Sequence, residues 1–471
     1  MPVTERLVLK LTRPGKRFLL RLLPIDFGWS VQLSNYYHRK FYTYMIQRRQ
    51  FLQQAALLSA GPLLAPLILQ ATGKKKPVVM LVSGWQNVNI GDIAHTPGLL
   101  TLLRHRLPGA ELVLWKKSLG GQTDDMLRRH FPALRIVNGG VDKDLLPDTD
   151  EVKQAFSDAD FLIHGSGPSV VAADNLRSWS KQTGKPFGIF GVTIQDVTPA
   201  LKELLANCQF IFTRETASIE VLKKNGLAGA HIAFAPDATF VLDIHDDAKA
   251  AAFLRENKLE RRKFICVIPR LRYTPYHTIN PNKSGWTDEK IKQVEETNAR
   301  YKEADHAKLR EAMIAWVRQT GNKVVVCPEM TYQVDVMDEL LINPLPDDIK
   351  PFVVKHAYWL PDEAASVYAQ AHTVLSFECH SPIMAAANGT PCFYLRQPTD
   401  TIKGQMYYDL GFTDWVFEID QTTGEQITGR LMEIYKNYTL ALQKNKAAIQ
   451  KVNRQYDTAF AIMKKRGANF V

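Results

Sequence analysis

Residues 374–395 read VLSFECHSPIMAAANGTPCFYL, and this stretch decides the fold. An apolar run ending at Phe377 leads into the polar residues Glu378 and His380, a helical pattern of small residues follows, and Cys392 opens another apolar run. In open α/β sheets, ligands bind where a strand hands over to the next helix. The stretch therefore predicts a strand–helix–strand unit with His380 at the ligand-binding edge. For a histidine taken alone, the alternative is a hydrogen-bonded side chain at a strand end.

The same alternation of short apolar runs and helical stretches continues through the chain from Pro77 onward. It is typical of a mainly parallel sheet with helices on both faces. A charged helical stretch around residues 244–262 separates two such halves. We therefore predict an α/β protein with two Rossmann-like domains facing a cleft, over residues 77–245 and 260–422, and a C-terminal helix over residues 423–471.

Apolar runs within each half predict the individual strands. Residues 273–305 interrupt the second half as a polar insertion, which we expect to be part helix and part mobile loop. The predicted strands cover residues 78–82, 111–115, 161–164, 186–190, 210–212 and 231–234 in the first half, and residues 264–268, 323–327, 352–354, 374–377 and 392–395 in the second.

The formal net charge of +11 is concentrated at the N-terminus. Residues 1–49 hold ten Lys and Arg against Glu5 and Asp26, three lysines follow at residues 74–76, and residues 77–471 have a net charge of zero. A nucleic-acid-binding protein would carry its basic residues on the folded domain. The charge distribution therefore predicts no nucleic-acid partner.

The N-terminal segment has the features of a targeting sequence. Residues 47–52, QRRQFL, are close to a twin-arginine export motif, and residues 55–69 are uncharged and mostly apolar but contain one glycine and two prolines. This stretch is too short and too broken for a membrane span but suits a signal peptide. We predict a twin-arginine-type signal over residues 45–73, preceded by a basic extension over residues 1–44, which lies upstream of a natural start at Met45.

This signal predicts recognition by the twin-arginine export machinery and delivery to the periplasm or cell envelope. The alternative is an uncleaved anchor that holds the protein at the cytoplasmic face of the membrane. The five cysteines form no CxxC pair and lie mostly in strand-like runs, so we expect buried thiols, with no metal site and no cofactor.

The loop from Gly84 to Asp92 joins the first predicted strand to a helix. Backbone N–H groups at such a position can hold an anion or a sugar hydroxyl, which makes Asn89, Gly91 and Asp92 candidate cleft residues. The loop lacks both the GxGxxG spacing and the Walker lysine, which argues against NAD and ATP. The alternative is a capped loop with Asp92 at the helix start and no ligand.

Several polar side chains follow other predicted strands. Arg214, Arg270 and Arg272 each come after an apolar run, and arginines there suit a carboxylate or phosphate through paired hydrogen bonds. Each arginine taken alone is also compatible with an ordinary salt bridge. Ser166 and Asp237 complete the set of candidate cleft residues.

The order of these motifs resembles the polysaccharide pyruvyl transferase family over about residues 77–415. The residues that carry the resemblance are Asn89 to Asp92, Arg214-Glu215 with Ser218 and Gly226, Pro236 to Phe240, His380 with Ile383, Ala386, Gly389, Pro391 and Lys403, and Leu410-Gly411.

The resemblance implies a GT-B-like enzyme that transfers a pyruvyl group from phosphoenolpyruvate, as co-substrate, onto two sugar hydroxyls of a glycan as a ketal. Its partners would be a glycan acceptor and a small anionic donor. The implied roles are donor binding for Arg214, general acid for His380, a further anion clamp for Arg270, a place near the site for Lys403, and the acceptor side or cleft floor for Asn89 and Asp92.

Glu378 departs from the family pattern, which usually has an arginine two residues before the histidine. A carboxylate there would repel a dianionic donor, so either Arg270 or Arg272 compensates or the donor is not phosphoenolpyruvate. We also expect Glu378 to raise the pKa of His380, which favours a general acid. The alternatives are a GT-B glycosyltransferase using a nucleotide sugar, with Glu378 or Asp400 on sugar hydroxyls, and a non-catalytic envelope protein that binds glycans.

Overall fold

A computed structural model describes residues 76–116, 118, 120–280 and 284–466 of the chain. The predicted signal over residues 45–73 and the extension over residues 1–44 lie outside the described residues. Within the part that is described, no helix has the length and apolar character needed to cross a bilayer.

The first half is built on a seven-stranded parallel sheet with strand order β3-β2-β1-β4-β5-β6-β7. Its central strands β1, β4 and β5 are buried along their whole length because helices cover both faces. The strands are β1 Val78–Val82, β2 Glu111–Lys116, β3 Arg135–Asn138, β4 Phe161–His164, β5 Phe187–Val192, β6 Ile211–Thr213 and β7 Ile232–Phe234. The helices are α1 Ile90–Arg106, α2 Gly121–His130, α3 Asp150–Asp158, α4 Ala173–Thr183, α5 Pro199–Ala206, α6 Thr216–Lys224 and α7 Asp247–Glu256.

The second half is a six-stranded parallel sheet with strand order β10-β9-β8-β11-β12-β13. Its strands are β8 Phe264–Ile268, β9 Lys323–Val326, β10 Val353–Lys355, β11 Thr373–Ser376, β12 Cys392–Arg396 and β13 Val416–Glu418. Its helices are α8 Tyr276–Ile279, α9 Asp288–Thr320, α10 Gln333–Met337, α11 Pro361–Tyr368, α12 His380–Ala387, α13 Gln405–Leu410, α14 Gly424–Lys436 and α15 Tyr438–Lys465.

The two-domain Rossmann-like prediction is confirmed. In both sheets the strand order reverses beside the first strand of the half, between β1 and β4 and between β8 and β11. Ligands of open α/β sheets bind at this reversal, outside the carboxyl ends of the strands. The loop after β1 and the segment from Phe377 to His380 after β11 therefore occupy equivalent, ligand-binding positions. Strands β3 and β13 were not predicted because they are short and only partly buried.

The insertion over residues 273–305 is largely helical in its described part. It contains α8 and the first half of α9, a helix of 33 residues. The Thr287 hydroxyl caps α9 by accepting a hydrogen bond from the Lys290 N–H, and Gly321 ends it at a φ of 67°, a backbone conformation that favours glycine.

The prediction of one long C-terminal helix is wrong, because the chain forms α14 and α15 with a break at Asn437. Helix α15 then packs on the first half, where the Tyr456 hydroxyl donates to the Asp237 carbonyl at 2.8 Å. The Phe460 ring lies 6.1 Å from that of Phe190. The last helix thus joins the second half of the chain to the first.

Candidate active site

His380 is the first residue of α12, directly after the buried strand β11 and a short bend. Pro382 near the start of the helix lacks an N–H that would be unpaired there in any case, and small residues follow it. Asn388 and Gly389, with a φ of 77°, end the helix. This local sequence fixes the histidine at the ligand-binding edge of the second sheet, as predicted.

Two neighbours hold the His380 ring from opposite sides. Its Nδ1 lies 3.2 Å from Oε1 of Glu329, and its Nε2 lies 2.8 Å from Nε2 of His95. The second Glu329 oxygen accepts hydrogen bonds from the backbone N–H of Ser381 at 2.6 Å and from its hydroxyl at 2.7 Å. Because His95 lies on α1, this contact joins the two halves of the molecule.

Asp237 is the charged centre of the same cluster. Its Oδ2 accepts hydrogen bonds from Arg214 at 2.9 Å and from the Ser166 hydroxyl at 3.1 Å, and lies 3.5 Å from Nε2 of His95 and 3.9 Å from Nε2 of His380. Although burial disfavours its charged form, His95 and Arg214 hold the pKa of Asp237 well below its usual range. The structure therefore brings the predicted residues Arg214, Ser166, Asp237 and His380 together.

Helix α1 begins against this cluster. The Asn89 side chain caps the helix by accepting hydrogen bonds from the N–H groups of Gly91 and Asp92, so the helix start is capped as in the alternative above, but by Asn89 and not Asp92. A Cβ atom on Gly91 would lie 2.4 Å from Nδ1 of His380, so this position requires a glycine. Burial raises the pKa of Asp92, while the charges of His95 and Lys403 oppose the rise. Asp92 and Lys403, both half-buried, thus lie near the cluster.

Arg270, at the end of β8, is neutralised by carboxylates. It donates to Asp400, its Nε lies 3.4 Å from Oε1 of Glu378, and Gln333 donates to that same oxygen at 2.8 Å. Arg270 is therefore the arginine that compensates Glu378. Burial raises the pKa of Glu378 to about 7, against the attraction of Arg270.

Arg272 does not take part in the site. It makes two hydrogen bonds of 2.9 Å to Asp305 and two more to Asp420, and stacks 3.6 Å from the centre of the Tyr301 ring. These contacts occupy the guanidinium of Arg272. Arg270 is therefore the arginine that faces Glu378.

The expectation that Glu378 raises the pKa of His380 is wrong. Glu378 contacts Arg270 and Gln333, and the carboxylate at the His380 ring is that of Glu329. Burial lowers the pKa of His380 to about 3 and that of His95 to about 4, although Asp237 opposes both shifts. Both imidazoles are therefore neutral near pH 7 in the ligand-free protein.

His95, Asp237 and His380 are also a geometric candidate for a metal site, because one ligand atom from each lies within 4.8 Å of the others. Two nitrogens on a tetrahedral zinc ion, each at about 2.0–2.1 Å, would be about 3.3 Å apart. The observed separation of 2.8 Å suits a shared hydrogen, and Oδ2 of Asp237 already accepts from Arg214 and Ser166. The residues are thus better suited to hydrogen bonding than to holding an ion.

Sequence reasoning missed His95 and Glu329. Glu329 follows β9 by three residues, so the rule that polar residues after strands line the cleft could have found it. His95 sits inside a helix among apolar neighbours and gives no such signal, because only the packing of the two halves brings it to His380.

Solved structures with the same arrangement of two α/β domains match most of the chain. MnaA from S. aureus with UDP is 11% identical with a TM-score of 0.52, covering 84% of this chain and 98% of that chain. The UDP-GlcNAc 2-epimerase from Neisseria meningitidis bound to UDP-GlcNAc is 11% identical with a TM-score of 0.50, covering 83% and 99%. A glycosyltransferase from Rickettsia africae is 10% identical with a TM-score of 0.50, covering 83% and 97%. At these identities the likeness shows a GT-B-like fold alone.

Sequence comparison with curated proteins gives no match. The family model for polysaccharide pyruvyl transferase, however, matches residues 89–397, which include α1, the two strands at the reversal of the second sheet and His380. The match covers well over half of the chain and agrees with the motifs and their order, and the chain therefore belongs to the polysaccharide pyruvyl transferase family.

Proposed function

We propose that this protein transfers a pyruvyl group from phosphoenolpyruvate onto two hydroxyls of a cell-surface glycan, forming a ketal. The observation that carries the proposal is the meeting of His380, from the second half, with Arg214 and Asp237, from the first, where the ligand-binding edges of both sheets come together. Family membership supports the reaction class.

The reaction needs one acid, one anion-binding site and an acceptor with two neighbouring hydroxyls. In the first step a proton from His380 is added to the methylene carbon of the donor, and a sugar oxygen bonds to the central carbon as its own proton passes to the vacated nitrogen of His380. In the second step the other hydroxyl attacks that carbon, the bond to the phosphate oxygen breaks, and the phosphate departs with the electron pair and takes up the hydroxyl proton. The products are the ketal and inorganic phosphate.

Binding of the donor requires changes in the cluster around His380 and Asp237. His380 is only 5% exposed, so the two halves must separate for a donor to reach its ring. Lys403 is half-buried and near enough to Asp92 for its charge to act on that carboxyl. Arg214 is ion-paired with Asp237. Arg270 can bind the donor only after it exchanges Asp400 or Glu378 for it. The dianionic donor would itself favour a protonated His380.

The test is phosphate release from phosphoenolpyruvate in the presence of glycans with neighbouring free hydroxyls. We expect His380→Asn to lower the rate at least about 100-fold, the usual contribution of a general acid. His372 is a buried histidine directly before β11 and outside the cluster, so His372→Asn is the matched control and should retain activity. Absence of phosphate release across acceptors, together with no thermal shift on adding phosphoenolpyruvate, would refute the proposal.

A second candidate is a glycan-binding protein without turnover. The observation that favours it is the pairing of Arg214 and Arg270 with buried carboxylates, which leaves little free positive charge for a dianion. It predicts glycan binding that His380→Ala leaves unchanged, with no phosphate released. A thermal shift with UDP or GDP would instead indicate a nucleotide-sugar donor, the kind of ligand named for MnaA and the N. meningitidis epimerase.

We also propose that the protein is exported to the periplasm or cell envelope by the twin-arginine machinery. The support is the QRRQFL motif at residues 47–52 and the short apolar stretch after it. N-terminal sequencing of the periplasmic fraction tests this. An intact N-terminus recovered with the cytoplasmic face of the membrane would support the anchor instead.

A further inference from the structure

His95 has no role in the proposed reaction so far, yet it makes the shortest contact of the His380 ring. The two Nε2 atoms lie 2.8 Å apart, and the rings meet edge to face with centroids 4.6 Å apart. Both side chains are buried. A separation of 2.8 Å requires one hydrogen between the nitrogens, so one ring donates and the other accepts.

The contacts of the outer nitrogens decide which ring donates. Glu329 also accepts two hydrogen bonds from Ser381, which favour its carboxylate form although burial raises its pKa. Nδ1–H of His380 then donates to Oε1, which leaves the Nε2 of His380 as a bare acceptor. His95 must then donate through its own Nε2–H, which also points toward Asp237, 3.5 Å away. The resting pair is therefore His95 with a proton on Nε2 and His380 with a proton on Nδ1. In this form His380 has no proton on the nitrogen that faces the first half.

The remaining nitrogen, Nδ1 of His95, is buried and has no hydrogen-bond partner among the described residues. A proton added there makes His95 an imidazolium that still donates Nε2–H to His380, so the contact between the halves survives. A shift of that one hydrogen along the 2.8 Å bond then places a proton on Nε2 of His380 and leaves His95 neutral. Neither ring has to rotate.

Charges of both signs surround the pair. The carboxylates of Asp237, of Asp92 on α1 and of Glu329 after β9 favour such a proton, whereas burial, Arg214 and Lys403 disfavour it and prevail in the ligand-free protein. A dianionic donor would add negative charge on the same side. The resting pair, buried and neutral, would thus take up its proton when the donor binds.

We propose that His95 is a positioning residue that loads the His380 acid: it fixes the resting tautomer of His380 and passes a proton to its Nε2. The inference rests on the proposed pyruvyl transfer. The proton leaves His380 Nε2 for the methylene carbon of the donor, and the proton released by the first sugar hydroxyl returns to the pair. The pair therefore ends the step with the number of protons it had at the start.

The first test needs no turnover. In protein labelled with ¹⁵N-histidine, the ligand-free spectrum at pH 7 should show His380 protonated on Nδ1 and His95 on Nε2. His95→Gln retains an N–H donor near the position of Nε2, so His380 should keep its tautomer, whereas His95→Leu should release it. Protonation of His380 on Nε2 in the unsubstituted protein would overturn the proposal, as would a stoichiometric metal ion found by elemental analysis.

The second test uses phosphate release. Because glutamine donates but cannot carry a second proton, His95→Gln should lower kcat at least tenfold, with a smaller change in KM and a shifted pH profile. His372→Gln, outside the cluster, controls for the loss of a buried histidine. Unchanged kcat and pH profile in His95→Gln would overturn the inference. If the unsubstituted protein releases no phosphate, the proposed function fails, and the tautomer experiment still decides the arrangement of the pair.

Discussion

Glu378 and Arg270 are the residues at which this chain departs most from an ordinary anion site. Glu378 is buried and accepts a hydrogen bond from Gln333, and the half-buried guanidinium of Arg270 faces the carboxylates of both Glu378 and Asp400, so the ligand-free protein already pairs the charge of Arg270. An arginine whose charge is already paired binds a donor only by exchanging one partner for another. In the proposed reaction, Glu378 would therefore compete with the anionic donor for Arg270.

Substituting Glu378 by glutamine removes this competition without removing the acceptor for Gln333. We expect Glu378→Gln to bind phosphoenolpyruvate about tenfold more tightly at pH 8, because one buried negative charge is lost. The pKa of Glu378 is raised to about 7 by burial, so at pH 6 the carboxyl is mostly neutral in the unsubstituted protein and the difference should shrink. Titration calorimetry at both pH values measures this, and Glu220→Gln, on the exposed face of α6, is the control. A difference in affinity between Glu378→Gln and the unsubstituted protein that is equal at pH 6 and pH 8 would contradict this prediction.

At the scale of elements, the first turn of α1 sets the distance between the two halves. Asn89 caps the helix, the Ile90 N–H donates to the Glu329 carbonyl at 2.9 Å, and Gly91 lies directly against His380 and Glu329. Close approach of a helix end to a buried side chain leaves no room for a Cβ atom. Helix α1 therefore positions the His380–Glu329 pair through its backbone as well as through the side chain of His95.

Gly91→Ala tests this packing. The new Cβ atom would lie 2.4 Å from Nδ1 of His380 and 2.7 Å from Oε1 of Glu329, so the pair or the helix must shift. We expect a loss of about 1–3 kcal/mol in the free energy of unfolding and a large loss of phosphate release. Gly429→Ala, inside α14 with open space around it, should instead stabilise by up to about 1 kcal/mol. Urea denaturation of both variants measures the difference, and equal stabilisation of the two would show that the packing is not tight.

The same elements show what the sequence could and could not predict. Strands such as β1 and β11 were predictable because a buried parallel strand is a continuous apolar run, and the residues after them followed from the topology. The break at Asn437 could not be predicted, because no glycine or proline marks it. The role of His95 could not be predicted either, since a histidine among apolar residues in a helix has the sequence pattern of a core residue, and only the packing of the second half brings it to His380.

At the scale of the whole molecule, four of the buried histidines in the described part of the chain make folding sensitive to acid. Burial lowers the pKa of His95, His306 and His372 to about 4 and that of His380 to about 3. In the unfolded chain a histidine takes up a proton near pH 6.5. Between pH 6.5 and pH 4 the unfolded chain therefore binds more protons at these residues, and their contribution to stability is full above pH 6.5 and falls as the pH falls.

His372 isolates this effect because it lies outside the active-site cluster, between the rings of Trp316 and Tyr438 at 4.9 and 4.3 Å. At pH 5 this side chain is neutral in the folded protein but protonated in the unfolded chain, which favours unfolding. The glutamine of His372→Gln binds no proton in either state. The substitution will lower stability at pH 7 through lost packing. From pH 7 to pH 5, however, we expect the variant to lose about 2 kcal/mol less than the unsubstituted protein, about 1.4 kcal/mol for each pH unit below 6.5. Urea unfolding at the two pH values measures the difference, with the exposed His105→Gln as the control. If both variants lose the same free energy of unfolding from pH 7 to pH 5 as the unsubstituted protein, His372 does not stay neutral in the folded state and the prediction is wrong.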